Sequence, residues 1–321
     1  MLLVALLVQY AVCFQQQQRS SASRWSTTST KLHETRIESY TYKDWNLTYR
    51  YKEAAKAKGQ GLTKQQLPLV LIHPVGIGLD SWFWEKIMNE WNESSVYAPD
   101  LIGCGTQNGG DAWNPSQKAL SFPLGWAQGI EPLLPPQGCT VVVQGGLAPV
   151  GVILAARNPT LVQKLVLCSP PTYNDMTTAI PESDLQRNFQ FLTNPFTANP
   201  AFGLLESEWA LRFFSNTFLF SNPCDTEWVD RAMATVSPEL RTPVAAFNAG
   251  LLNHRSFEEE LVSVVTQPTL ILSGEDDKRD RQEYVDSMTN CEWQKLSDCC
   301  NVLPWEDPEQ VCQALYDFLK R

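Results

Sequence analysis

Histidine, the side chain most often used as a general base, is scarce in this chain. Among 321 residues there are three histidines, His33, His73 and His254. His73 opens the turn His73-Pro74-Val75-Gly76 directly after the apolar run Leu67 to Ile72. The nine cysteines are scattered, none in a C-x-x-C pair, and the adjacent Cys299 and Cys300 suit no common zinc spacing. No metal site and no cofactor is therefore expected, and most thiols read as small buried hydrophobes of a reducing compartment. Asp276 and Asp277 close the stretch Gly274-Glu275-Asp276-Asp277, just after the apolar run Thr269 to Ser273. In residues 141–149, Val-Val-Val-Gln-Gly-Gly-Leu-Ala-Pro, an apolar run opens onto Gly145 and Gly146, and a helix-like stretch then runs to Asn158-Pro159. This has the pattern of a tight strand-to-helix turn. Neither Gly145 nor Gly146 carries a side chain, and the neighbouring Gln144 offers only a neutral amide.

The elements that position these residues follow from periodicity. Ile37 to Tyr42 and Leu47 to Tyr51 alternate, which predicts a hairpin around Lys43-Asp44-Trp45. Glu53 to Gln66 is polar and reads as a loop. Leu67–Ile72, Val96–Asp100, Thr140–Gln144, Leu165–Ser169, Thr269–Ser273 and 292–296 read as strands. Helices are expected at Ser81–Trp91, Leu147–Arg157, 280–289 and Pro308–Lys320. Between 170 and 263 only helical pieces appear, at 184–193, 203–219, 226–235 and 238–252. Strand–helix alternation broken by a helical block predicts an α/β fold, a mostly parallel central sheet with a helical cap inserted after the sixth strand. The expected divisions are a core over 34–169, the cap over 170–263 and a second core part over 264–321.

Composition narrows the partners. The chain is 43% hydrophobic, enough to bury a large core, and carries a formal charge of −10. Its acidity excludes nucleic acid and anionic membrane surfaces, both of which demand basic patches. Residues 2–12 form an apolar run too short to span a bilayer, with Ala11 and Cys13 spaced as in a signal-peptidase site before Phe14. Gln15 to Lys31 is Ser/Thr-rich and contains Arg19 and Arg24 but no acid. A signal peptide at 1–13 followed by a transit-peptide-like segment at 14–33 resembles the presequence of complex plastids; secretion is the alternative address.

Four landmarks then point one way. His73-Pro-Val-Gly76 resembles an oxyanion-hole turn, and Asp100-Leu-Ile-Gly-Cys-Gly105 resembles a D-x-x-G-x-G turn. Gly274-Glu-Asp-Asp277 resembles the G-x-x-D turn carrying a triad acid. Leu303-Pro-Trp-Glu-Asp-Pro-Glu309 resembles the segment just beyond a catalytic histidine. In this order they resemble the α/β-hydrolase superfamily from Glu34 to Arg321, with residues 143–147 standing where its G-x-S-x-G nucleophile elbow belongs. The resemblance implies that Gly145 occupies the nucleophile position, Asn301 the histidine position and Asp277 the acid position. No histidine follows Asp277, so the order nucleophile, acid, histidine cannot be completed.

What remains is binding chemistry. The resemblance implies that the backbone N–H groups of Gly146 and Val75 serve an oxyanion hole, with Gly76 and His73 shaping its turn and Gln144 beside it. For Cys104 two readings stand, displaced nucleophile or inert thiol; for Asp277, base on a water or structural carboxylate. Gln144 and Asn301 either contact a ligand or cap one another. The 11 tryptophans divide between core and a possible cap–core cavity for a lipid- or isoprenoid-like molecule. The leading expectation is a non-hydrolytic plastid protein binding a small apolar, carbonyl or carboxylate ligand or a partner. The alternative is a hydrolase or lyase acting on an ester-like or apolar molecule through Asp277, Cys104 or an activated water.

Overall fold

The computed structural model describes residues 35–54 and 66–321. The expected signal and transit segments, His33 and most of the polar loop after Glu53 lie outside the described residues. Eight strands form one sheet in the order β1-β2-β4-β3-β5-β6-β7-β8. The hairpin β1 (Arg36–Tyr42) and β2 (Trp45–Lys52) turns at Lys43, whose φ is +52°, and pairs antiparallel with register Tyr42↔Trp45. This edge alternates in burial, as a strand pair with one solvated face must.

The remaining strands are β3 (Leu69–Ile72), β4 (Val96–Pro99), β5 (Cys139–Gln144), β6 (Val162–Cys168), β7 (Thr269–Gly274) and β8 (Cys291–Leu296). They run parallel to one another, and β2 joins β4 antiparallel. Every residue of β3, β5 and β7 is buried, because helices cover both faces; that is why these strands read as unbroken apolar runs. Strand β3 lies between β4 and β5, so the direction of winding reverses there. In an open parallel sheet the crevice at such a reversal, at the carboxyl ends of the strands, is the natural ligand site. His73 follows β3 and Gly145 follows β5, so both stand at that edge.

Helix α1 (Glu85–Glu90) continues a 3₁₀ turn, Ser81–Trp84, capped by the Asp80 side chain. Helix α2 (Leu124–Ile130) has no counterpart in the sequence expectations. Its seven residues include two glycines, which depress helix propensity, but tertiary packing holds it, including Tyr40 Oη donating to the Gly129 carbonyl. Helix α3 (Ala148–Arg157) follows β5 through a 3₁₀ turn at Gly145–Leu147.

Between β6 and β7 the elements are helical: α4 (Tyr173–Thr177), α5 (Glu182–Thr193), α6 (Pro195–Leu205), α7 (Glu208–Phe214), α8 (Thr226–Thr235) and α9 (Arg241–Asn248). The single helix expected at 203–219 is instead the end of α6, then α7 begun by its own Ser207 cap, then a π turn at Ser215–Leu219. The expected 238–252 helix is interrupted at Gly250, whose φ is +84°. After β7 come α10 (Gln282–Ser287), α11 (Leu303–Glu306) and α12 (Pro308–Leu319).

The tryptophans near the cap are mostly structural. Trp82, Trp228 and Trp305 are each about 2% exposed and pack edge to face with centroids 5.1–5.4 Å apart. This trio joins helix α8 of the helical block to the core, and Asp225 reinforces it. That residue caps α8 by accepting from the Trp228 N–H at 2.7 Å, and it also accepts from Trp305 Nε1 and from Lys86.

Candidate active site

Gly145 adopts φ +62°, the left-handed region in which a side chain is strained, and no atom lies within 4 Å of where its Cβ would stand. The backbone thus keeps a left-handed elbow, unstrained because the residue is glycine, with open space where a side chain would project. Gly146 is different: a Cβ there would meet the Phe247 ring at 2.7 Å, so α9 lays an aromatic edge against the turn. Both glycines precede α3, whose amino terminus favours an oxygen-rich or anionic group.

Gln144 is 2% exposed and donates from Nε2 to the Asn301 backbone carbonyl at 2.7 Å. Its Oε1 is buried without a protein partner. The two amides therefore do not pair side chain to side chain. The Asn301 side chain instead accepts from Arg279 at 3.2 Å.

Arg279 and Arg281 are the residues the sequence reading missed. Arg279 grips the Asp277 carboxylate with two nitrogens, each at 2.9 Å, and its backbone N–H adds a third bond at 3.0 Å. Arg281, fully buried, donates to the same carboxylate at 3.0 Å and to the Pro170 carbonyl at 2.9 and 2.6 Å. Burial, with Arg279 beside it, lowers the Arg281 pKa to about 10, so it stays charged at neutral pH. Asp277 is thus a carboxylate with both oxygens engaged by two guanidinium groups. The signal was present in Lys278-Arg279-Asp280-Arg281, where Asp277 and Arg281 stand four apart.

His73 is fully buried and uses both ring nitrogens. Nδ1 lies 2.8 Å from the Pro74 carbonyl, and Nε2 accepts from the Leu101 N–H at 3.1 Å. Those partners require the neutral tautomer protonated at Nδ1, and burial lowers the ring pKa accordingly. His73 therefore ties the turn after β3 to the turn after β4 rather than lining a pocket. Val75 is buried and Gly76 half-buried in the same turn. Asp100 organises the next turn, accepting from Ser81 N–H, Thr48 Oγ1 and Asn108 Nδ2. Cys104 is 1% exposed, and burial beside Asp100 and Asp80 holds its thiol well above the usual range. Of the two readings of Cys104, this burial favours the inert thiol over the displaced nucleophile.

Segments from the helical block close over the site. The Leu219 carbonyl accepts from the N–H groups of Asn301 and Val302 at 3.0 and 3.3 Å. Ser221 donates its N–H to Glu306 at 2.7 Å and its hydroxyl to Asp276. Ser169, one residue past β6, is non-glycine at φ +46° with a buried, unpartnered hydroxyl. An open cleft of about 570 Å³ has walls that include Trp113, Asn114, Phe189, Thr193 and Glu239; none of its lining residues belongs to the elbow or to the acid turn. Among the described residues no cluster of histidine, cysteine and carboxylates is arranged to hold a metal.

A mostly parallel eight-stranded sheet, a left-handed glycine elbow after β5, an acid turn after β7 and a helical insertion after β6 define the α/β-hydrolase fold. The chain belongs to the alpha/beta hydrolase family, whose model matches residues 69–314. Solved structures agree on the fold. One is a serine hydrolase involved in carbazole degradation, the CarC enzyme, with a TM-score of 0.66 and 14% identity over 89% of this chain and 99% of that one. Another is Cfl2 from Burkholderia cenocepacia, at 0.66 and 18% over 89% and 96%. The epoxide hydrolase CorEH aligns at 0.64 and 18% over 89% and 99%. No curated protein matches the sequence.

Proposed function

We propose that this chain is a non-hydrolytic member of its family, binding a small apolar, carbonyl or carboxylate ligand, or a partner, at the elbow. One observation carries the reading: Gly145 keeps the left-handed turn and open approach of a nucleophile while supplying no reagent, and Arg279 and Arg281 hold the Asp277 carboxylate. With no hydroxyl there is no acyl intermediate, and with no imidazole there is no base to make one. The Gly146 N–H is the donor proposed for a ligand oxygen; Gln144 Nε2 is committed to the Asn301 carbonyl, and its Oε1 is a buried acceptor.

A second reading is hydrolysis, or lysis, of an ester-like or apolar molecule by other groups. Family membership and the hydrolases named above support it more than they support pure binding, and Ser169 favours it locally. A non-glycine residue at φ +46° stores strain of the kind found at functional sites, and its hydroxyl lacks a partner.

Incubating the protein with an ester panel and a fluorophosphonate probe separates the two. The binding reading predicts no turnover and no labelled protein. Labelling abolished by Ser169→Ala, or ester turnover above a heat-inactivated control, overturns it. The plastid address rests on residues 1–33, and fusing residues 1–40 to a fluorescent protein tests it; export to the medium defeats it.

A further inference from the structure

Helices α6 and α7, consecutive along the chain, each present large apolar side chains that the core does not use. Phe196 is 91% exposed, Trp209 66%, Leu204 56% and Phe213 49%. Trp209 and Phe213, one turn apart on α7, stack at 5.6 Å. On α6 the outward residues are Phe196, Asn199, Pro200, Gly203 and Leu204, while Ala198 and Phe202 on its other side are buried. The outward face is therefore displayed by a helix already anchored through its inner one, so it is not a loosened piece of core.

Its charge pattern identifies what it meets. Residues 188–205 are eighteen consecutive positions without an ionisable side chain. The charged residues bordering them are paired: Glu206 holds Arg241 through two contacts of 2.6 and 2.7 Å, and Glu208 holds Arg212 at 3.0 Å. No lysine occurs between Lys164 and Lys278, and the arginines of the helical block, Arg187, Arg212, Arg231, Arg241 and Arg255, are each paired with a carboxylate, so they offer no unpaired basic cluster to anionic lipid. A neutral apolar face, on a chain of net charge −10, complements a neutral interface and is repelled by an anionic one. A side chain as prominent as Phe196 demands a matching pocket in a protein partner, whereas acyl chains accommodate it without one. Trp209 has the amphipathic ring that settles at headgroup depth.

We propose that the α6–α7 face is an interfacial docking surface for a bilayer of uncharged or zwitterionic lipids. It lies on the surface of that bilayer and does not cross it: among the described residues no helix is long and apolar enough to span a membrane.

The test floats the full-length protein with phosphatidylcholine vesicles. It compares wild type with Phe196→Glu/Trp209→Glu, and with the milder Phe196→Ser/Trp209→Ser in case the first folds poorly; unchanged thermal midpoints certify the fold. The expected result is at least a tenfold lower vesicle partition for either pair, and no gain for wild type when phosphatidylserine is added. The proposal is overturned if wild type stays with the soluble fraction. It is also overturned if the substituted proteins float equally well, which assigns binding to another segment such as residues 2–12. A wild-type dimer in analytical ultracentrifugation that the substitutions abolish overturns it too, because the face then belongs to a second copy.

Discussion

At the scale of single residues, Asp277 is tied down by its neighbours. A triad acid needs a free edge to orient an imidazole; in the reading proposed above Asp277 holds the acid position and Asn301 the histidine position, and Arg279 covers the Asp277 carboxylate while reaching Asn301. On that reading, supplying a serine and a histidine at these positions is insufficient by itself. Gly145→Ser with Asn301→His is expected to label weakly with a fluorophosphonate, and adding Arg279→Ala is expected to raise labelling at least tenfold. In-gel fluorescence of the two variants checks this, and equal labelling would show that Arg279 does not obstruct the acid. The absence of a late histidine needs only a count along the chain, and the glycine elbow needs only the apolar run before it. The arginine clamp was less legible because guanidinium groups usually face solvent, and only the fold shows Arg281 buried beneath Pro170.

Elements tell a similar story about what sequence can carry. The buried strands announced themselves as apolar runs, and the four turns followed them in order. Helix α2 hid behind its glycines, and the Phe247 edge over Gly146 joins residues a hundred positions apart. Pairings at that separation have no local signature. The tie between α8 and the core is of this kind as well. Asp225 satisfies the first turn of α8 and accepts from Trp305, while Lys86 sits both against Asp225 and 4.1 Å from the centre of the Trp305 ring. Asp225→Ala removes the cap together with a bond to the Trp305 indole. It is expected to cost about 1–3 kcal/mol, from the capping loss plus one unsatisfied donor. Urea denaturation measures the total, and hydrogen exchange is expected to quicken first in Thr226–Thr235.

For the molecule as a whole, protonation of Glu306 links the helical block to pH. Burial pushes its carboxyl up to about 7, against the opposing pull of the N–H groups of Ser221, Cys300 and Val302. The folded protein therefore binds a proton at Glu306 more readily than the unfolded chain between its ordinary value of 4.5 and about 7. The stability this contributes is fully present below pH 4.5 and is lost as pH rises through 7. Asp80, raised to about 7 by burial and by Asp100, acts in the same direction. Denaturant midpoints from pH 4.5 to 7.5 should decline less steeply in Glu306→Gln than in wild type, with the Asp80 contribution persisting in both. An identical slope in the variant would remove Glu306 from this account.

The left-handed turn at Gly145 has one more consequence, for how the protein tolerates change. An ordinary side chain held in that conformation costs about 1–2 kcal/mol, which a serine-bearing elbow must carry permanently in its native state. Glycine carries no such load, although it loses more chain entropy on folding. A site relieved of local strain leaves the native state a reserve, and that reserve lets substitutions accumulate elsewhere before the fold becomes marginal.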